Sequence, residues 1–152
     1  GLTKALIPYY ITPNTLATNN TVRNMARALN KEDLNLALQH LQTFLGTIPY
    51  CDNTNYEGHY QQMLFVIFTL LSAHMVDVEV RTPKGRVDMV LRTKTHIYIF
   101  DLKLGKSADT AMKQINIKGY ATRFANSGLP TVKVGINFDM QTHNITDWKI
   151  ER

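Results

Sequence analysis

The 152-residue chain carries 17 Lys+Arg against 12 Asp+Glu, a formal charge of +5, with 44% hydrophobic and 19% charged residues. This suits one compact domain with a real core and excludes a disordered tail and a coiled coil, while the longest apolar run, Met63 to Leu71, is too short to span a bilayer. The positive balance favours a polyanionic partner, nucleic acid foremost.

An irregular stretch around Pro8 and Pro13 opens the chain, without the basic segment, apolar run and cleavage site of a secretion signal. Thr21 to Leu29 suits a short helix. Asn30 is a good capping residue with Asp33 three positions on, and Leu34, Ala37, Leu38, Leu41 and Leu45 recur at helical spacing, so an amphipathic second helix follows, ended by Gly46. The next loop holds the only cysteine, Cys51, which can form neither an internal disulfide nor a cysteine-rich zinc site; a reducing, cytoplasmic setting is expected. A long helix is expected from Tyr56 to Ala73, apolar on all sides from Met63 onward and therefore buried.

The period then changes from helical to alternating. Val76 to Arg81 alternates as a half-buried strand, and Pro83-Lys84-Gly85 is a turn. Arg86 to Arg92 and His96 to Leu104 are apolar on both faces and separated by little more than Lys94-Thr95, which predicts a hairpin buried between layers. Ser107 can cap a helix reaching about Asn126, Gly128 and Pro130 stop it, and Thr131 to Phe138 and Asn144 to Ile150 finish as strands. The expected fold class is α/β, a mixed central sheet with helices on both faces, preceded by a helical N-terminal segment.

Several chemistries find no support. Gly105-Lys106-Ser107 resembles the tail of a phosphate-binding loop, but Phe100 stands where its first glycine belongs. No nucleophile elbow or dinucleotide-binding glycine pattern occurs, and the five histidines are scattered with no pair at i, i+4.

The hairpin holds the residues that can do chemistry. With its loop centred on Lys94-Thr95, residues whose numbers sum to 189 face one another, so Asp88 lies opposite Asp101, and Lys103 shares their face. Facing carboxylates repel and are costly among Val, Ile and Phe, so the arrangement asks for a cation; magnesium or manganese suits carboxylate oxygens. A three-residue loop would instead put the two aspartates out of line. The same residues also suit plainer roles: an Asp101–Lys103 ion pair, Asp88 capping the Gly85 turn, and Glu57 stabilising a helix N-terminus.

Taken together, Glu57 opening a buried helix, GRVDMV at 85–90, IYIFDLKL at 97–104 and AMKQINIKGYA at 111–121 resemble the PD-(D/E)XK nuclease superfamily, most closely the bacterial branch in which such a domain follows an AAA-ATPase-like domain. The resemblance implies a restriction-endonuclease-like fold, divalent-metal-dependent phosphodiester hydrolysis, and a division into a helical connector, residues 1–52, and a nuclease-like domain, residues 53–152. It assigns Asp88 and Asp101 as the motif acids, Lys103 as the lysine of the D/E-x-K triplet and Glu57 as the glutamate of the first core helix. The carbonyl of Leu102 would complete the set around Mg²⁺ or Mn²⁺. Gln114, Lys118, Tyr120 and Arg86 are the expected nucleic-acid contacts, with DNA preferred over RNA, and Gln114 and Lys118 lie one helical turn apart. Val87 replaces the superfamily's proline before the first acid, and Asp101 replaces the glutamate more usual in this branch. The rival expectation is a non-catalytic nucleic-acid-binding or assembly module.

Overall fold

The computed structural model describes residues 15–48, 56–105, 108–119 and 127–152; the opening stretch around Pro8 and Pro13, Cys51, Ser107 and Tyr120 lie outside them. Helix α1, Thr15–Asn30, is longer than the expected Thr21 to Leu29 because its apolar stripe of Val22, Met25, Ala26 and Leu29 is buried and continues upstream to Thr18. Its end is closed by a turn in which Asp33 N–H donates to the Ala28 carbonyl at 2.8 Å and Glu32 takes a left-handed φ of 62°. Asn30 is thus the last residue of α1, and Asp33 is the cap of α2, Leu34–Gly46, its Oδ1 accepting from Leu36 N–H at 3.1 Å. The five apolar positions expected on α2 are all buried, joined by Phe44.

Helix α3, Tyr56–Leu70, runs into a single 3₁₀ turn, Leu71–Ala73. Its burial corrects the expectation of an all-round apolar helix in a core. Leu64, Ile67, Phe68 and Leu71 are buried, Phe65 and Val66 are half-buried, and Leu70 is exposed. A helix lying on one face of a sheet buries one stripe only.

The strands follow as β1 Asp77–Arg81, β2 Arg86–Arg92, β3 Ile97–Leu104, β4 Thr131–Asp139 and β5 Asn144–Glu151, in one sheet ordered β1-β2-β3-β4-β5. All neighbours are antiparallel except β3 and β4, which are parallel, so their connection must cross a face of the sheet; helix α4, Ala108–Lys118, lies within it. Helix α4 ends at Lys118, short of the expected Asn126, where Gly119 adopts a left-handed φ of 65°. Residues 120–126 are outside the described segments.

On one face of the sheet, Val87, Met89, Tyr98, Phe100, Leu102, Val134, Ile136 and Phe138 join α1, α2 and α3 in one hydrophobic cluster. Side-chain bonds tie α2 to the last strand: Gln42 Nε2 donates to the Ile145 carbonyl at 2.8 Å, and Trp148 Nε1 donates to Asn35 Oδ1 at 2.9 Å. On the other face, Met112 and Ile115 of α4 pack on Ile97 and Ile99. The helices therefore cover both faces, as expected for a restriction-endonuclease-like fold. No helix among the described residues is long and apolar enough to cross a membrane.

Candidate active site

The hairpin register follows from its turn. Thr93 N–H donates to the His96 carbonyl at 2.9 Å, and Thr93 Oγ1 accepts from His96 N–H at 3.0 Å and Thr95 N–H at 3.2 Å. This fixes Lys94 and Thr95 at the centre, and the pairs Arg86↔Lys103, Asp88↔Asp101 and Val90↔Ile99 each sum to 189 as expected. Because Val87, Met89, Phe100 and Leu102 point into the main core, Arg86, Asp88, Asp101 and Lys103 share the opposite face.

Across that face the pairings set one row from edge to edge: Arg81 on β1, Asp88, Asp101, Gly135 on β4 and Lys149 on β5. Gly135 places no side chain beside Asp101. Helix α4 covers the β4–β5 end, with Lys149 Nζ 2.7 Å from Asp109 Oδ1 and Lys133 Nζ donating to Asn116 Oδ1 at 2.8 Å. Toward β1 the face opens into a shallow depression, lined in part by Glu79, Arg81, Asp88, Val90 and Ile99.

Both aspartates are buried, Asp88 4% and Asp101 0% exposed. Neither carboxyl oxygen of Asp101 accepts a hydrogen bond from a described residue. Burial foremost, and then the charge of Asp88, raises the Asp101 pKa to about 7, against the pull of Arg86 and Lys103. Asp88 is also raised by burial, opposed foremost by Arg86, whose Nε lies 3.3 Å from Asp88 Oδ2. Two like charges pressed together out of water favour keeping one proton between them.

Two facing carboxylates, one of them without a hydrogen-bond donor, are what a hard divalent cation needs: oxygen donors whose charge is not already satisfied. The pair fits such an ion. No group of three His, Cys, Asp or Glu side chains assembles among the described residues, so further oxygens would come from the Leu102 carbonyl, from water or from Glu57. Glu57 stands in the first turn of α3, and its side chain lies outside the described residues.

The remaining expected residues are less uniformly placed. Lys103 is half-buried, paired in register with Arg86 on one side and Asn137 on the other. Gln114 is half-buried on α4, Lys118 is the helix's last residue, and its side chain, like all of Tyr120, lies outside the description. Arg86, expected at a nucleic-acid surface, is turned inward, its side chain 16% exposed against Asp88.

Sequence reasoning missed Gln61. From α3, its Nε2 donates to the Pro83 carbonyl at 2.6 Å and the Arg86 carbonyl at 2.9 Å, pinning the helix to the turn that leads into β2. No local pattern marks a glutamine for that role. Arg81 and Gly135 were also missed, although carrying period-two alternation into β1 would have placed Arg81 on the face of Asp88.

The described residues thus form an α/β domain whose helix-flanked mixed sheet carries a buried acid pair with a lysine on the same face. The chain belongs to the PD-(D/E)XK nuclease superfamily, which matches residues 55–148. Members of that superfamily generally hydrolyse phosphodiester bonds with divalent metals. The chain is also 31% identical over 122 residues to an uncharacterized protein in the vnfD 5′ region of Azotobacter chroococcum mcd 1, covering 75% of this chain and 23% of that protein's length. No solved structure matches the chain.

Proposed function

We propose that this domain is a divalent-metal-dependent nuclease that hydrolyses phosphodiester bonds in DNA. The observation that carries this reading is the Asp88–Asp101 pair, buried face to face, with both oxygens of Asp101 lacking a donor among the described residues. Asp88, Asp101, the Leu102 carbonyl and Glu57 are the residues that would hold Mg²⁺ or Mn²⁺. When bound, the metal supplies positive charge against the phosphate oxygens.

Lys103 sits one pleat beyond Asp101 on the same face and orients the attacking water. In the reaction the water oxygen bonds to phosphorus, the bond to the leaving sugar oxygen breaks, and a water proton ends on that oxygen. The resemblance of the α4 sequence supports Gln114, Lys118 and Tyr120 as backbone contacts, which position the strand without reading its sequence. The same resemblance supports residues 53–152 as the nuclease part, following an AAA-ATPase-like domain, and the single cysteine suits work in the cytoplasm.

The test is nicking of supercoiled plasmid with Mn²⁺, comparing the unaltered protein with Asp101→Ala and EDTA controls. Cleavage by the unaltered protein alone is expected. Equal cleavage by a folded Asp101→Ala protein overturns the assignment. The net charge of +5 supports one rival, a non-catalytic nucleic-acid-binding or assembly module, which predicts salt-sensitive binding indifferent to EDTA and no metal-dependent cleavage.

A further inference from the structure

Resting on that reading, we infer that Arg86 is the resident counter-cation of the aspartate pair, held in place by Gln61, and that it competes with the divalent metal instead of contacting nucleic acid. Three contacts run in sequence from helix to acid. Gln61 Nε2 grips the Arg86 carbonyl at 2.9 Å and the Pro83 carbonyl at 2.6 Å, and Arg86 Nε then lies 3.3 Å from Asp88 Oδ2. The turn is held from its far side as well, by Leu104 N–H donating to the Gly85 carbonyl at 3.1 Å. Backbone so fixed leaves β2 little freedom at residue 86, and the guanidinium is correspondingly committed to the interior.

Burial argues against a role at the surface. The Arg86 side chain is 16% exposed, whereas the Arg81 side chain, in the same row as the acids at the rim of the depression, is 60% exposed. A guanidinium reaching a phosphate would have to give up its ion pair with Asp88, a carboxylate that is itself 4% exposed. Two buried carboxylates need compensating charge, and of the cations that act on them Arg86 acts more strongly than Lys103, so its loss weakens the metal-free protein. A divalent ion arriving at the same oxygens meets the repulsion of that guanidinium. Removing the guanidinium therefore weakens the metal-free protein and strengthens metal binding.

The experiment measures thermal melting in EDTA and Mn²⁺ affinity by calorimetry at pH 8, for the unaltered protein, Arg86→Gln, Arg86→Lys and Gln61→Leu. Arg86→Gln is expected to melt lower in EDTA and to bind Mn²⁺ about tenfold more tightly, a size typical of residues next to metal ligands. Arg86→Lys restores affinity toward that of the unaltered protein. Gln61→Leu, which frees the Arg86 carbonyl but keeps the charge, shifts melting and affinity in the same directions by less, and keeps the idea testable should Arg86→Gln not fold.

Unchanged or weaker Mn²⁺ binding in both Arg86→Gln and Gln61→Leu overturns the inference. A second readout is DNA affinity against salt in an Asp101→Asn background. A slope unchanged by Arg86→Gln agrees with an internal role, and a slope reduced by about one marks a lost phosphate contact and overturns it. If the unaltered protein binds no Mn²⁺, the nuclease reading falls too; if it binds and only the variants fail to respond, this inference alone falls.

Discussion

Replacing Asp101 by Asn keeps the shape of a fully buried side chain and deletes its charge, so the substitution isolates what that charge costs the metal-free protein. The amide can donate toward Asp88 much as the protonated acid does. In the folded protein the carboxyl titrates at about 7, against an ordinary 3.8. The native state therefore keeps its proton over a range in which the unfolded chain has lost it, and folding stability falls as pH rises from near 4 to about 7, levelling above that. At 1.36 kcal/mol per pH unit the full span amounts to at most about 4 kcal/mol. Asp101→Asn removes this penalty and is expected to stabilise the metal-free protein by up to that amount at pH 8, about 8–15 °C in melting temperature for a chain of this size. The gain shrinks through pH 5.5 and vanishes below pH 4. Urea unfolding in EDTA at three pH values measures it. The same substitution eliminates Mn²⁺-induced stabilisation and cleavage, so a protein made more stable is made inactive. A gain independent of pH, or Asp101→Asn less stable than the unaltered protein at pH 8, would refute the electrostatic account.

Lys103→Ala is expected to lower kcat with little change in the Mn²⁺ concentration for half-maximal activity, read by titrating metal in a cleavage assay; equal loss of both contradicts its role in orienting water. A fragment beginning at residue 53 loses Val22, Met25, Leu29, Leu34, Leu38, Leu41 and Leu45 from the main core. At ~1.5–3 kcal/mol each, their loss matches or exceeds the stability of a typical domain. The fragment should show no cooperative melt by circular dichroism, and a cooperative melt would show that the helical segment is dispensable.

Most of what positions the acids was legible in the chain because it is local. A short loop between two runs of β-branched and aromatic residues predicts a hairpin, and with the loop centred on Lys94-Thr95 period-two alternation places Asp88 opposite Asp101 and Lys103 on their face; the bonds of the Thr93 turn chose that centring over a three-residue loop. The apolar spacing of α2 was equally plain. Helix ends were harder: Asp33 and not Asn30 caps α2, since Asn30 is taken up by the last turn of α1. The inward turn of Arg86 had no signature either, because an arginine beside a turn looks the same in sequence whether it meets solvent or a carboxylate.

The sequence by itself thus determined the hairpin and narrowed its register to one that brings the two acids together or one that does not, because both depend on contacts between residues close along the chain. Only the tertiary structure decided that β4 lies parallel beside β3, that Gly135 leaves the flank of Asp101 bare of side chain, and that α1 and α2 pack into the same core as the sheet. It also decided that Gln61 reaches the carbonyl of Arg86 from 25 positions away. Such contacts arise from how whole faces pack against one another, and no periodicity within a single segment encodes which partner a face will find.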